Sequence, residues 1–168
     1  MWPAIDSLLS RVFRFARKRS PVSFRRETSP ENRASAGLIV IVGIILDEAD
    51  RRLLTGLGSR NQWNVSFADT LEEAQSLSQD LRAAAILYDR DAAGEDWGTA
   101  LERFASSPHR PCVLLVSRVA DDYLWNEVVR RGGYDLLSKP LREQDVSRAI
   151  KLAWLYWNSA ARPAVLQA

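Results

Sequence analysis

The chain has 168 residues, which is enough for one domain with an ordinary hydrophobic core. Its single cysteine excludes an internal disulfide, and its single histidine argues against a histidine-based metal cluster or catalytic triad. The formal net charge of +2 is unevenly spread. Residues 1–36 contain eight Lys/Arg against three Asp/Glu, whereas the other 132 residues contain fifteen against eighteen. The longer part is therefore mildly acidic, which argues against a broad nucleic-acid-binding surface.

The first predicted element is a short amphipathic helix over residues 3–18. Apolar residues recur there at helical spacing, and basic residues lie on the opposite side. The apolar positions are Ile5, Leu8, Leu9, Val12, Phe13 and Ala16. This pattern is typical of a helix that lies on an anionic membrane surface or docks into a partner groove, and equally of a helix that packs on its own domain. Residues 19–36, rich in Ser, Pro, Arg and Glu, predict a flexible linker.

From residue 37 onward, short apolar runs alternate with helical patterns. The predicted strands are 38–45, 64–68, 83–88, 112–116 and 134–137, and the predicted helices are 48–56, 71–79, 97–105, 121–131 and 143–157. Asp47 and Thr70 are predicted to cap the first two of these helices. Five strand–helix pairs in series predict a doubly wound α/β fold over residues 37–160, with a parallel sheet between two layers of helices and a tail over 161–168.

Three of the predicted strands lead into a polar residue. Asp89 follows the third strand, Ser117 the fourth and Lys139 the fifth. Because the C-terminal ends of parallel strands converge on one crevice, where open α/β sheets bind ligands, we expect the three side chains to lie close together. A carboxylate, a hydroxyl and an ammonium in one pocket are suited to accept, hydrogen-bond and neutralise a phosphoryl group.

With these elements placed, residues 38–157 resemble the CheY-like receiver domain of bacterial two-component response regulators, over about 120 of the 168 residues. The likeness rests on the order of Asp89, Ser117 and Lys139-Pro140, with Lys139 twenty-two residues after Ser117. Residues 132–141, with the sequence GGYDLLSKPL, are similar to the fifth-strand signature of that family. The resemblance implies a flavodoxin-like (βα)5 sheet with strand order 2-1-3-4-5.

The resemblance also implies roles for the three polar residues. Asp89 matches the phosphoacceptor, Ser117 the hydroxyl that hydrogen-bonds the phosphoryl group, and Lys139 the lysine that pairs with the acceptor and then with the phosphoryl oxygens. The Lys139–Pro140 peptide bond would be cis. The implied partner is a histidine kinase or a phosphotransfer protein, and the implied role is phosphorelay signal transduction rather than enzymatic catalysis.

The chain departs from the family at the positions that hold Mg²⁺. An ungapped match places the usual pair of acids on Ile45 and Leu46, so Asp89 is left as the main anionic ligand. Asp47 could substitute for a missing carboxylate, although a helix cap is the simpler interpretation. Asp91 could supply another oxygen, or it is a solvated loop carboxylate. Magnesium affinity, and aspartyl-phosphate formation with it, should therefore be much reduced.

Two functional hypotheses follow. The first is a stand-alone response regulator phosphorylated at Asp89, since the eleven residues after Trp157 are too few for a separate DNA-binding domain. The second is a pseudo-receiver that serves as a phosphorylation-independent interaction or dimerisation module. The missing carboxylates, and Leu136 at the position of the family's switch aromatic, favour the second mechanism.

Aromatic residues in the last two predicted helices suggest a binding surface. Trp125, Trp154, Tyr156 and Trp157 lie there. At helical spacing Trp154 and Trp157 share one side with Ile150, a pattern more typical of core than of interface, but tryptophan and tyrosine are enriched at interface hot spots. We therefore expect the face formed by these helices and the strand between them to bind a partner or a second copy. No stretch approaches the roughly 18 apolar residues of a membrane span, so a cytoplasmic protein is expected, membrane-peripheral if residues 3–18 bind lipid.

Overall fold

The computed structural model describes residues 38–160. The predicted helix over residues 3–18, the linker over 19–36 and the tail over 161–168 lie outside the described residues. The elements are β1 (Val40–Ile44), α1 (Glu48–Asn61), β2 (Asn64–Phe67), α2 (Leu71–Asp80), β3 (Ala85–Asp89), α3 (Trp97–Ala105), β4 (Cys112–Ser117), α4 (Asp122–Arg130), β5 (Asp135–Ser138) and α5 (Glu143–Ala160). Within this range, none of the helices has the length and apolar character needed to cross a membrane.

The five strands form one parallel sheet in the order β2-β1-β3-β4-β5. This order confirms the strand arrangement implied by the resemblance. The register pairs Asp89 with Val116 and Ser117 with Ser138, so the ends of β3, β4 and β5 lie side by side. The sheet thus brings its polar strand ends to one edge.

Hydrophobic side chains fill both faces of the sheet, as near-continuous apolar strands predict. One cluster joins the sheet to α1 and α5, with Leu54 and Ile150 fully buried in it. The cluster on the other face joins it to α2, α3 and α4, and includes Phe104 and Val128. Cys112 lies in the first cluster, and burial raises the pKa of its thiol to about 12. It is therefore an inert core residue, as its apolar surroundings in the sequence indicate.

The predicted end of the first helix at Gly56 is wrong. Helix α1 continues through Gly56 and Gly58 to Asn61, and ends where Gln62 adopts a left-handed conformation with φ 58°. Gly58 serves close packing, because a Cβ there would lie 2.8 Å from Val65 Cγ2 of β2. Packing on β2 therefore sustains the helix beyond Gly56.

Candidate functional site

The candidate site is centred on Asp89, the last residue of β3, whose exposed fraction is 0%. Its Oδ1 accepts a hydrogen bond from the Asp91 N–H at 3.1 Å. Its Oδ2 accepts one from the Leu46 N–H at 3.3 Å and forms an ion pair with the Lys139 ammonium. Both oxygens of this buried carboxylate are therefore engaged, and Lys139 supplies the compensating charge.

Lys139 follows β5 and extends its side chain back across the sheet edge. The side chain is 7% exposed, and its backbone N–H donates to the Ser117 carbonyl at 2.9 Å. The Lys139–Pro140 peptide bond is cis, as the resemblance implies. The lysine is thus fixed to β4 through its main chain and to the end of β3 through its ammonium.

Ser117 ends β4 and is 2% exposed. Its hydroxyl oxygen accepts a hydrogen bond from the Val119 N–H at 3.2 Å, which ties the side chain to the loop that follows its own strand. The structure therefore places all three sequence-predicted residues at one edge. Asp89 and Lys139 are in direct contact, while Ser117 joins them through the backbone of Lys139.

The positions that would supply further carboxylates are aliphatic. Ile45 is fully buried in the core beside α1, and Leu46 is 55% exposed with only its backbone N–H directed to Asp89. Within residues 38–160, no group of three or more His, Cys, Asp or Glu residues is arranged to hold a metal ion. The donor set of one carboxylate, already paired with an ammonium, does not fit Mg²⁺, which requires oxygen ligands in near-octahedral geometry.

The two other metal-ligand candidates have local uses. The Asp47 carboxylate caps α1, because its Oδ1 accepts from the N–H groups of Ala49 at 2.8 Å and Asp50 at 3.1 Å. Asp91 is exposed and offers its backbone N–H to Asp89. The capping interpretation of Asp47 and the loop-carboxylate interpretation of Asp91 agree with these contacts.

One buried carboxylate near the site was not predicted from the sequence. Asp50, in the first turn of α1, is 5% exposed and accepts a hydrogen bond from the Leu141 N–H at 3.0 Å. An acid at this position ordinarily complements the helix dipole. The one available signal was that Asp50 lies on the side of α1 that also carries the core residues Leu54 and Leu57.

A second candidate surface is formed by α4, β5 and α5. The Trp125 indole N–H donates to Asp135 Oδ1 at 3.2 Å, and the rings of Tyr134 and Tyr156 lie 5.5 Å apart. Burial raises the pKa of the Asp135 carboxyl, while the hydrogen bonds from Leu136 and Trp125 act in the opposite direction. Trp125 and Asp135 thus link α4 to β5 directly.

Solved structures share this architecture. A putative response regulator from Chloroflexus aurantiacus J-10-fl is 19% identical, with 70% of this chain and 98% of that chain covered and a TM-score of 0.63. The signal receiver domain of an HD domain-containing protein from Pseudomonas fluorescens Pf-5 is 21% identical (73% and 98% covered, TM-score 0.64). A CheY-like receiver domain protein from Methanospirillum hungatei JF-1 is 16% identical (74% and 100% covered, TM-score 0.65). The chain has the receiver fold.

At these identities, the likeness establishes the fold and leaves the chemistry to be argued from the side chains. No family model matches the chain, and no curated protein matches it. The receiver fold accounts for the convergence of Asp89, Ser117 and Lys139, because the ends of β3, β4 and β5 are neighbours in it. The fold does not account for the aliphatic side chains just after β1, Ile45 and Leu46, which belong to the sequence of this chain.

Proposed function

We propose that this chain is a receiver-like protein of two-component signal transduction that acts through protein–protein contacts, with a pocket closed by Lys139. The observation that carries this proposal is the aliphatic pair beside Asp89, because Ile45 and Leu46 stand where carboxylates would hold Mg²⁺. The Asp89 carboxylate itself is fully buried, both of its oxygens accept hydrogen bonds, and the ammonium of Lys139 neutralises it. In this form the protein is a phosphorylation-independent interaction module rather than a phosphate-operated switch or an enzyme.

The chemistry of phosphoryl transfer supports this proposal. Transfer to a carboxylate depends on positioning and on neutralisation of the negative charge that gathers on the phosphoryl oxygens. A magnesium ion held by one or two carboxylates normally neutralises that negative charge. Here the candidate positions are Ile45 and Leu46, and the single ammonium of Lys139 is already paired with Asp89.

The test is chemical phosphorylation of the full chain with acetyl phosphate and Mg²⁺, followed by intact-mass measurement. We expect no aspartyl phosphate on the wild-type protein. Leu46→Asp, at an exposed position beside Asp89, should gain a Mg²⁺-dependent adduct that is lost again when Asp89→Asn is added. Leu81→Asp, at an exposed leucine after α2, is the matched control and should gain nothing. A Mg²⁺-dependent adduct on wild-type Asp89 would overturn the proposal.

That last outcome would favour a second candidate function, a working response regulator phosphorylated by a histidine kinase or a phosphotransfer protein. The contact between Lys139 and Asp89, with Ser117 on the neighbouring strand, is the observation in its favour. In this alternative the phosphoryl group would displace the carboxylate from Lys139 and recruit the Ser117 hydroxyl, which would have to leave the Val119 N–H.

We further propose that the face formed by α4, β5 and α5 is where a partner or a second copy binds. Leu155 and Tyr156 of α5 and Val129 of α4 are exposed there, and Tyr156 is 60% exposed. Aromatic side chains that are rigid and partly exposed supply much of the binding energy at interfaces. The link from Trp125 to Asp135 holds α4 and β5 together without any contribution from Asp89.

Sedimentation of the full chain at rising concentration tests the second-copy form of this proposal. Tyr156→Glu should weaken self-association at least about tenfold, because a charge would be buried at the interface. Leu81→Glu places the same charge at an exposed apolar site after α2, and it should leave association unchanged. A wild-type protein that stays monomeric, and whose kinase or phosphotransfer partner binds Tyr156→Glu and Trp125→Ala normally, would refute the role of this face.

For residues 3–18 we propose peripheral binding to an anionic membrane surface, supported by the apolar stripe and the basic residues opposite it in the sequence. Co-sedimentation with anionic liposomes compares the full chain with a variant in which Leu9 and Phe13 are replaced by Asp. Loss of binding in the variant is expected. Equal recovery of both proteins would refute membrane binding and leave docking into a partner groove or packing on its own domain as the alternatives.

A further inference from the structure

The buried carboxylate of Asp50 lies outside the pocket and is used by none of the chemistry above. It is the third residue after the N-cap of α1, and its Oδ1 accepts a hydrogen bond from Leu141 N–H, 91 residues along the chain. An acid at this helical position commonly bonds back to the start of its own helix. Because burying a carboxylate is costly unless it is hydrogen-bonded, a contact across the fold indicates a specific use.

That use follows from the backbone hydrogen bonds of residues 139–141. The Lys139 N–H donates to the Ser117 carbonyl of β4 at 2.9 Å, and Pro140 has no N–H to donate. The Leu141 N–H donates to Asp50 of α1 at 3.0 Å. Both backbone donors of this short segment are therefore bound to other elements, the Lys139 N–H to β4 and the Leu141 N–H to α1. The two bonds fix the backbone from which the Lys139 side chain extends.

The start of α1 is itself connected to the pocket. The Leu46 N–H, just before the helix, donates to Asp89 Oδ2, which is the oxygen that pairs with Lys139. The Asp47 carboxylate accepts from the Asp50 N–H and so fixes the first turn that carries Asp50. Both partners of the ion pair are thus connected to the start of α1, Asp89 through the Leu46 N–H and the Lys139–Leu141 segment through Asp50.

We propose that Asp50 is a positioning residue, whose buried carboxylate holds the Lys139–Leu141 segment against α1 so that the Lys139 ammonium stays on Asp89. This inference says what keeps Lys139 paired with Asp89 in the proposed function, and it rests on that function. The test measures the position of the Lys139 side chain and does not involve phosphorylation. The positioning role of Asp50 and the proposed function can therefore fail separately. A protein that accepts phosphate could still depend on Asp50 for the resting position of Lys139.

The experiment is ¹⁵N NMR on the full chain, which follows the Leu141 amide and the side-chain ammonium of Lys139. In Asp50→Ala, we expect the Leu141 amide to exchange with solvent at least about tenfold faster and the protected Lys139 ammonium signal to disappear. Asp50→Asn keeps a side-chain oxygen that can accept, so it should restore both signals. Its Leu141 amide proton should shift upfield, because a neutral amide is a weaker acceptor than a carboxylate.

Thr70→Ala is the control for a purely structural effect, since it removes the cap of α2 without contact with this segment. It should lower stability and leave the Lys139 ammonium protected. An unchanged Lys139 signal in Asp50→Ala, or an equal loss in Thr70→Ala, would overturn the proposal. If Asp50→Ala does not fold, Asp50→Asn decides alone: a Leu141 amide proton that keeps its wild-type shift would contradict a bond to this carboxylate.

Discussion

The Asp89 carboxylate and the Lys139 ammonium form a buried ion pair, in which each charge compensates for the removal of the other from water. The Asp89 and Lys139 side chains are almost completely buried. Lys139→Met should lower the free energy of unfolding by about 3–5 kcal/mol, because it leaves an unpaired charge inside the protein. Urea denaturation at pH 7 measures this loss.

The double variant Asp89→Asn/Lys139→Met separates the charge from the packing. It should recover a large part of the stability lost in Lys139→Met, since no buried charge remains. Lys151→Met, at an exposed position on α5, is the matched control and should change stability by less than about 0.5 kcal/mol. A loss below about 1 kcal/mol in Lys139→Met would show that water compensates Asp89 instead.

At this scale the sequence predicts some contacts and misses others for a physical reason. Asp89, Ser117 and Lys139 could be found because strand ends converge on one edge of a parallel sheet, and the sheet was evident from the alternating pattern. Asp50 could not, because its partner is a backbone N–H 91 residues away and its place in a helix first turn has an ordinary local explanation.

Helix α1 offers a direct comparison of two glycines on one element. A Cβ at Gly56 would have its nearest neighbour, Arg60 Nη1, at 3.8 Å, which is ordinary contact. A Cβ at Gly58 would lie 2.8 Å from Val65 Cγ2 and 3.3 Å from the Trp63 carbonyl oxygen. Gly56→Ala should therefore raise the free energy of unfolding by about 0.5–1 kcal/mol, whereas Gly58→Ala should lower it. Equal effects in thermal unfolding of the two variants would contradict this packing.

The same helix shows why element ends are harder to predict than elements. Within residues 38–160 the sequence predicts all ten elements in the right order, and the bounds of α3 are those of the structure. Helix α1 was predicted five residues too short because a glycine in sequence does not reveal whether it ends a helix or admits a neighbouring strand. Only the approach of β2 to Gly58 distinguishes the two.

At the scale of the whole molecule, the only histidine of the chain lies at the end of the sheet opposite Asp89 and connects helices there. His109 precedes β4, its Nε2 is 2.9 Å from the buried Ser78 hydroxyl of α2, and its carbonyl accepts from the Trp157 indole N–H of α5 at 2.8 Å. Helices from both faces of the sheet are thus linked at one residue. Burial, and then the charge of Arg82, lower the pKa of this imidazole.

The lowered pKa of His109 gives stability a direction with pH. The unfolded chain binds the proton more readily than the folded one, with a pKa of about 6.5. The contribution of His109 is therefore complete above that pH and is lost as the pH falls towards the folded pKa, where the imidazolium faces Arg82. Between pH 7.5 and 5.5, the wild-type Tm should fall by roughly 1–3 °C more than that of His109→Gln. Parallel falls in the two proteins would mean that the imidazole titrates alike in both states, and that this edge of the sheet is insensitive to its charge.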